Sequence, residues 1–366
     1  MADNRSAWRD AEEEAPIVET MKAVVKYGQE DGEVELRDMP VPSITDNDVL
    51  LRVKAAGVCG SDIEMWRHHY TYTVNTPVIM GHEFCGVIEK VGSAVEGWKV
   101  GDRVISETSA YVCGRCYFCR AGEYQMCPSR LGYGSGTHGA FTRFVKVRQQ
   151  ILHRIPESLS FEEAAITEPA CVAYNALVVR SRIRPGDVVV VIGPGPIGLN
   201  CLQMAAVAGA GRLFIVGTPA DQARLAVAAR LCPGATALNG TAESIVAAIQ
   251  GATGGLGADV VVDAAGPSAT LRLSLDVVRR LGTITKVGWG PQPVGFSLDL
   301  LLTKAVTLQG TYGHGQLTWH NVLRLLSGGA LKPGILISEV LPIEQWKKGY
   351  EDVESSRAVK VILKPE

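Results

Sequence analysis

The segment Asp187 to Ala210, DVVVVIGPGPIGLNCLQMAAVAGA, constrains the fold of this chain more than any other stretch. Val188 to Ile192 is an unbroken apolar run, the pattern of a strand buried on both faces of a parallel sheet. It leads directly into Gly193-Pro194-Gly195-Pro196-Ile197-Gly198 and then into an Ala-rich helical stretch. A lone G-x-G-x-x-G is weak, but between a strand and a helix each position has a mechanical reason. Gly193 permits the tight turn, Gly195 lets a pyrophosphate approach the backbone, and Gly198 lets helix and strand pack closely. Pro196 and Ile197 open the helix, where a missing N–H costs nothing and the free N–H groups face an anion. Further apolar runs, GRLFIVG, ADVVVDAAG and LGTITKVGWG, alternate with helical stretches. The pattern predicts a Rossmann-type, doubly wound parallel sheet over residues 179–311.

Upstream the style changes. Runs such as MKAVVKYG, DVLLRVKAAG, CGVIEKVG and GAFTRFVKV are short and β-like, with Gly, Pro and Asp-Asn between them. An all-β unit is expected there, and the stretch after residue 311 mixes helix and strand. With 366 residues, 46% hydrophobic and 20% charged, the chain can bury a full core. The net charge of −2 gives no basic patch for nucleic acid or an anionic membrane. No apolar run reaches the length of a membrane span. Residues 1–20 are acidic and polar, with no secretory pattern, and read as a loosely held arm. Nine cysteines, an odd number, with four crowded between Cys113 and Cys127, argue against a disulfide scaffold and for reduced thiols in the cytoplasm.

Two residue sets have the chemistry of metal sites. Cys113, Cys116, Cys119 and Cys127 are spaced C-x2-C-x2-C-x7-C, enough thiolates to enclose a tetrahedral structural zinc. An iron–sulfur run would end C-x3-C-P, which the last gap does not fit. Separately, Cys59, His82, Glu83 and Glu168 offer sulfur, nitrogen and oxygen ligands, of which three plus an open position make a catalytic zinc site. Spacing alone does not assemble these distant residues. At the end of the second Rossmann strand, NAD-selective sites place an acid toward the ribose. This chain has Gly217 and Thr218 instead. Asp221 is within reach and Arg224 is a candidate for a 2′-phosphate, so NAD and NADP both stay open.

GVCGSD, GHEFCGVIEKVG, CGRCYFCRAGEYQMC, EEAAITEPACVAYNA and GPGPIGL occur in an order that resembles the zinc-containing medium-chain dehydrogenases, specifically the sorbitol (polyol) and L-threonine dehydrogenase branches. The resemblance runs from Met21 to the C-terminus. It implies a GroES-like catalytic domain from residues 21–178 and 312–366, with the Rossmann domain inserted. It implies that Cys59, His82 and either Glu83 or Glu168 hold the catalytic zinc, with Asp62 orienting His82. Zinc then supplies Lewis acidity, NAD or NADP takes the hydride, and Ser61 begins the proton's exit. Where the family often has a histidine further along that exit, this chain has Glu64, with His68 and His69 nearby. Trp66 and Ser61 lean toward the polyol branch, whereas Gly313 and His314 replace its Arg-Tyr pair and lean toward threonine dehydrogenase.

The expected activity is oxidation of a secondary alcohol on a small polyol, sugar alcohol or cyclitol. The alternatives are an L-threonine 3-dehydrogenase or other amino-alcohol dehydrogenase, and, outside enzymes, a zinc-stabilised binding protein. A zinc-free quinone reductase of the same fold would lack both ligand sets. FSLDLLLTKAVTLQGTYG matches the edge through which the family's nucleotide domains pair, which implies a homodimer or homotetramer.

Overall fold

The computed structural model describes residues 19–365. Of the arm expected at 1–20, residues 1–18 lie outside the described residues, and Thr20 already belongs to a strand. The segment Asp187 to Ala210 supplies the middle strand of a six-stranded parallel sheet. Its order is Thr236–Leu238, Arg212–Val216, Val188–Ile192, Ala258–Asp263, Val278–Lys286 and Thr307–Gly310. The chain builds outward from Val188–Ile192 in both directions, so the order reverses beside that strand and a crevice opens at its carboxyl end. Alternation along the strand explains the unbroken apolar run. Val189 and Val191 join the core that holds Leu199 and Leu202 of the next helix. Val190 and Ile192 join the opposite core with Ile245 and Leu271.

The other sheet is mostly antiparallel. Its strands run Leu152–Arg154, Arg103–Ser106, Glu83–Val91, Asp48–Gly57, Lys360–Lys364 and Ile337–Pro342, with Phe144–Arg148 also on Asp48–Gly57. Thr20–Lys26, Val34–Pro40 and Val78–Ile79 form a smaller sheet. The last strand closes on one from early in the chain: Ile362 lies opposite Gly57 and Leu363 opposite Ala56. This is the lobe for which the resemblance implies a GroES-like fold.

A short bundle joins the lobes. The helix Thr167–Tyr174 packs against both Pro196–Val207 and Gln316–Ser327. The amide of Asn175 then donates to Thr311 Oγ1 (2.9 Å) and to the carbonyl of Gly313 (2.7 Å). A loop leaving the parallel sheet is thereby pinned over the lobe that carries Cys59. Among the described residues, no helix is long and apolar enough to cross a membrane.

Ile362 is fully buried on the closing strand. Ile362→Ala is expected to lower stability by about 2–5 kcal/mol, read as a lower urea midpoint with unchanged slope.

Candidate active site

Cys59 ends the turn after the strand Asp48–Gly57 and is the N-cap of the helix Gly60–Trp66. Its N–H donates to Asp62 Oδ2 at 2.9 Å, which fixes the start of the helix. His82 and Glu83 follow Gly81, whose φ of +89° and close approach to Phe141 leave no room for a side chain. A Cβ at Gly57 would likewise strike the carboxylate of Glu83. Glycines in both loops thus let two backbones come together, and one donor atom each from Cys59, His82 and Glu83 lies within 4.8 Å of the others.

Negative character gathers around His82. Burial alone would lower the imidazole's pKa, but the Cys59 sulfur, Asp62 and Glu168 outweigh it and hold it up at about 10. That is the electrostatics of a place built for positive charge, and sulfur, imidazole and carboxylate donors suit zinc. Asp62 Oδ1 is buried with no hydrogen-bond partner, 3.9 Å from His82 Nδ1. Glu83 is fully buried and both its oxygens accept from Lys360 Nζ, at 2.8 and 2.7 Å. Burial opposes the charge of Lys360, yet Glu83 first and Cys59 next hold its pKa above the ordinary lysine value. Glu168 is outside this cluster of donors. Burial pushes its carboxyl up to about 7, and its Oε1 is 3.6 Å from His314 Nε2. His314, buried first and facing Arg130 second, is held down at about 3 and is neutral. It stacks on Trp319 at 5.3 Å, with neither ring nitrogen hydrogen-bonded.

These groups open onto a cavity of about 560 Å³ whose wall includes Ser61, Glu64, His82, Glu168, Trp289 and Tyr312. Ser61 and Glu64 are three residues apart on one helix and so share one of its faces, partly buried at the cavity. Burial raises the Glu64 carboxyl above the usual range. His68 and His69 are exposed and are not part of the cavity wall. Trp66 does not face substrate space: it is buried against Trp346 and Tyr350, with ring centres 6.2 and 5.8 Å away. Its place in the sequence therefore reports packing. Gly313 has φ +63°, and a Cβ there would press on Gln125, which accounts for the small residue.

At the crevice, Gly195 is the N-cap of the helix Pro196–Val207, with Pro196 in its first turn. A Cβ at Gly195 would meet nothing within 4 Å, whereas one at Gly198 would strike the carbonyl of Gly193 and one at Gly193 would meet Ala265 at 2.9 Å. Two glycines are thus needed for packing and one leaves open space at the helix end, which fits a pyrophosphate. Ile197 is partly buried beside them. At the ribose end, the Thr218 N–H and hydroxyl both donate to Asp221 Oδ2, at 2.9 and 2.7 Å. A Cβ at Gly217 would crowd Pro194. Arg224 donates to the carbonyls of Val353 and Ala358 at 3.3 and 3.4 Å. Only its Nη2 is engaged there, its Nε is buried without a hydrogen-bond partner, and Asp221 is spent on the turn.

The sulfurs of Cys113, Cys116, Cys119 and Cys127 also lie within 4.8 Å of one another, none in a disulfide. Backbone N–H groups of Arg115 and Cys116 hold the Cys113 thiol down at about 6. Burial first, then Cys116 and Cys127, push Cys119 up to about 12. Thiols this crowded ionise together only around a cation, and the donor set fits structural zinc.

The Alcohol dehydrogenase GroES-like domain family matches residues 45–157, and the Zinc-binding dehydrogenase family matches residues 196–328. The chain is 36% identical to a sorbitol dehydrogenase of Halalkalibacterium halodurans over 94% of this chain and 99% of that protein. It is 34% identical to a D-arabitol-phosphate dehydrogenase of Enterococcus avium, over 94% and 97%. The chain belongs to the zinc-binding alcohol dehydrogenase family. A solved alcohol dehydrogenase from Thermus sp. ATN1 superposes with a TM-score of 0.84 at 33% identity, over 94% of this chain and 99% of that one. As a family member, the chain is a zinc-containing, NAD(P)-dependent alcohol dehydrogenase, which sets aside the zinc-stabilised binding protein.

Sequence reasoning missed three residues of this dehydrogenase's site. Lys360 left a signal: a lone lysine inside the apolar run AVKVIL, on a strand otherwise buried. Asn175 and Arg130 left none, because each matters only through residues far along the chain. Lys360→Met leaves Glu83 buried and unpaired. It is expected to cost about 3–5 kcal/mol in chemical denaturation, with a smaller loss in the double variant Lys360→Met, Glu83→Gln.

Proposed function

We propose that this dehydrogenase oxidises a secondary hydroxyl of a small polyol-like substrate with NAD or NADP, at the cavity beside Cys59, His82 and Glu83. The convergence of those three donors on the cavity wall carries the reading. Relatives named for sorbitol and for arabitol phosphate support a polyhydroxylated substrate. Bound zinc supplies the Lewis acidity that makes a hydroxyl acidic, and the nicotinamide accepts the hydride.

The chain's residues divide the remaining work. Cys59, His82 and Glu83 hold the catalytic metal, Lys360 neutralises Glu83, and Asp62 orients His82. Glu168, outside the donor cluster, would be the alternative carboxylate to Glu83 for holding that metal. The Ser61 hydroxyl takes the substrate's proton, and Glu64, one turn later, passes it outward. Gly193, Gly195, Pro196, Ile197 and Gly198 seat the pyrophosphate, while Gly217 and Thr218 face the ribose. Cys113, Cys116, Cys119 and Cys127 enclose the structural zinc. The catalytic domain comprises 21–178 and 312–366, and the nucleotide domain 179–311. All nine cysteines are free, which suits the reducing cytoplasm.

Metal analysis is expected to give two zinc per chain, and Cys59→Ala one, with turnover lost. Sugar alcohols and cyclitols are expected to be oxidised with at least one of the two cofactors. Turnover of L-threonine alone would overturn the substrate reading.

We also propose that two copies pair through the strand Thr307–Gly310. It is the last strand of its sheet, and Leu302, 80% exposed, lies just before it. Leu302→Asp is expected to shift the sedimentation coefficient to that of a smaller assembly, and no shift would remove this interface.

A further inference from the structure

Arg130 is the one lysine or arginine among the described residues of the cavity wall. Its three nitrogens are each held by a neutral hydroxyl. Nε donates to Ser109 Oγ at 2.8 Å, Nη2 to Thr108 Oγ1 at 3.0 Å, and Nη1 to Tyr312 OH at 3.2 Å. A guanidinium has five N–H donors in a fixed planar fork, so two remain unused. Its bonded partners, all hydroxyls, orient the fork and carry no charge of their own. Glu64 and Glu168 line the same cavity, but neither forms an ion pair with it. Glu168 feels the charge of Arg130 across the cavity without bonding to it, so the free N–H donors of a half-buried guanidinium still await a direct anionic partner.

Its position suits one. The contacts to Ser109 and Thr108 are part-buried, whereas the one to Tyr312 is exposed. The charge therefore stands where the cavity meets solvent, and an anion held there keeps part of its hydration. The wall also carries neutral polar groups, among them Thr73, Asn75 and Ser135, which suit hydroxyls. The nucleotide's phosphates have a separate seat at the helix opened by Pro196.

We propose that Arg130 recognises an anionic group, phosphate or carboxylate, carried by the same carbon chain whose secondary hydroxyl is oxidised. This rests on the polyol reading above and narrows it to acidic polyols.

The test compares a pentitol, the matching pentitol phosphate and the matching pentonate on the zinc-loaded enzyme, in the wild type and in Arg130→Met and Arg130→Lys. The wild type is expected to prefer one of the anions, and whichever it prefers identifies the group. Arg130→Met is expected to lower the anion-to-pentitol ratio of kcat/KM by about 10- to 100-fold, mainly through KM. Arg130→Lys, which keeps the charge and loses the fork, is expected to recover part of that loss. An unchanged ratio would make Arg130 a structural clamp and overturn the proposal, as would a rise in the KM of NAD or NADP in place of the substrate's. If none of the three substrates turns over, the polyol reading fails, and calorimetry with inorganic phosphate decides about Arg130. Weaker binding in Arg130→Met supports the anion site, and equal or absent binding in both proteins overturns it.

Discussion

The buried pair between Glu83 and Lys360 is the constraint on which the catalytic lobe depends. Two charges taken out of water gain from each other only when geometry is close and the remaining hydrogen bonds are made. Both conditions hold here: the ammonium reaches both carboxylate oxygens and also donates to the carbonyl of Val58 at 2.9 Å. The partners are 277 residues apart, so the contact exists only once the last strand lies beside Asp48–Gly57. Without the ammonium, Glu83, Asp62, Glu168 and the Cys59 sulfur would crowd one small volume with like charge. With it, the same groups become a site that one added cation brings toward neutrality.

A second constraint sets where that site faces. The crevice of the parallel sheet offers an open helix end at Gly195, and the donor cluster lies in the other lobe. Helix contacts through Thr167–Tyr174 and the two hydrogen bonds of Asn175 hold the lobes together. Binding, orientation and shielding from water are what a protein adds to hydride transfer, and all three follow from this junction.

Much of this was legible in the order of residues. The apolar run before Gly193 announced a doubly covered strand because burial on both faces leaves no position for a polar side chain. The cysteine spacing announced its own cluster because its ligands are neighbours in sequence. The union of Cys59 with His82 came only through family likeness, since nothing local says which loops will meet. Trp66 carried a likeness to the polyol branch but no contact: position along a helix does not show which side of that helix meets the cavity, and here the ring meets Trp346 and Tyr350. At the ribose end the question of NAD against NADP persisted because the answer depends on where side chains are spent. The turn consumes Asp221, whereas Arg224 gives one nitrogen to distant carbonyls and keeps its Nε buried and unpaired.

The closing strand has a consequence for how the enzyme comes into being. Its lysine comes 277 residues after the carboxylate it pairs with, and so is synthesised long after the sulfur and imidazole donors. A growing chain can form its nucleotide sheet and fill its cysteine cluster while this pocket is still an uncompensated knot of acid groups. Competence is therefore withheld until this strand has been made and has docked beside Asp48–Gly57.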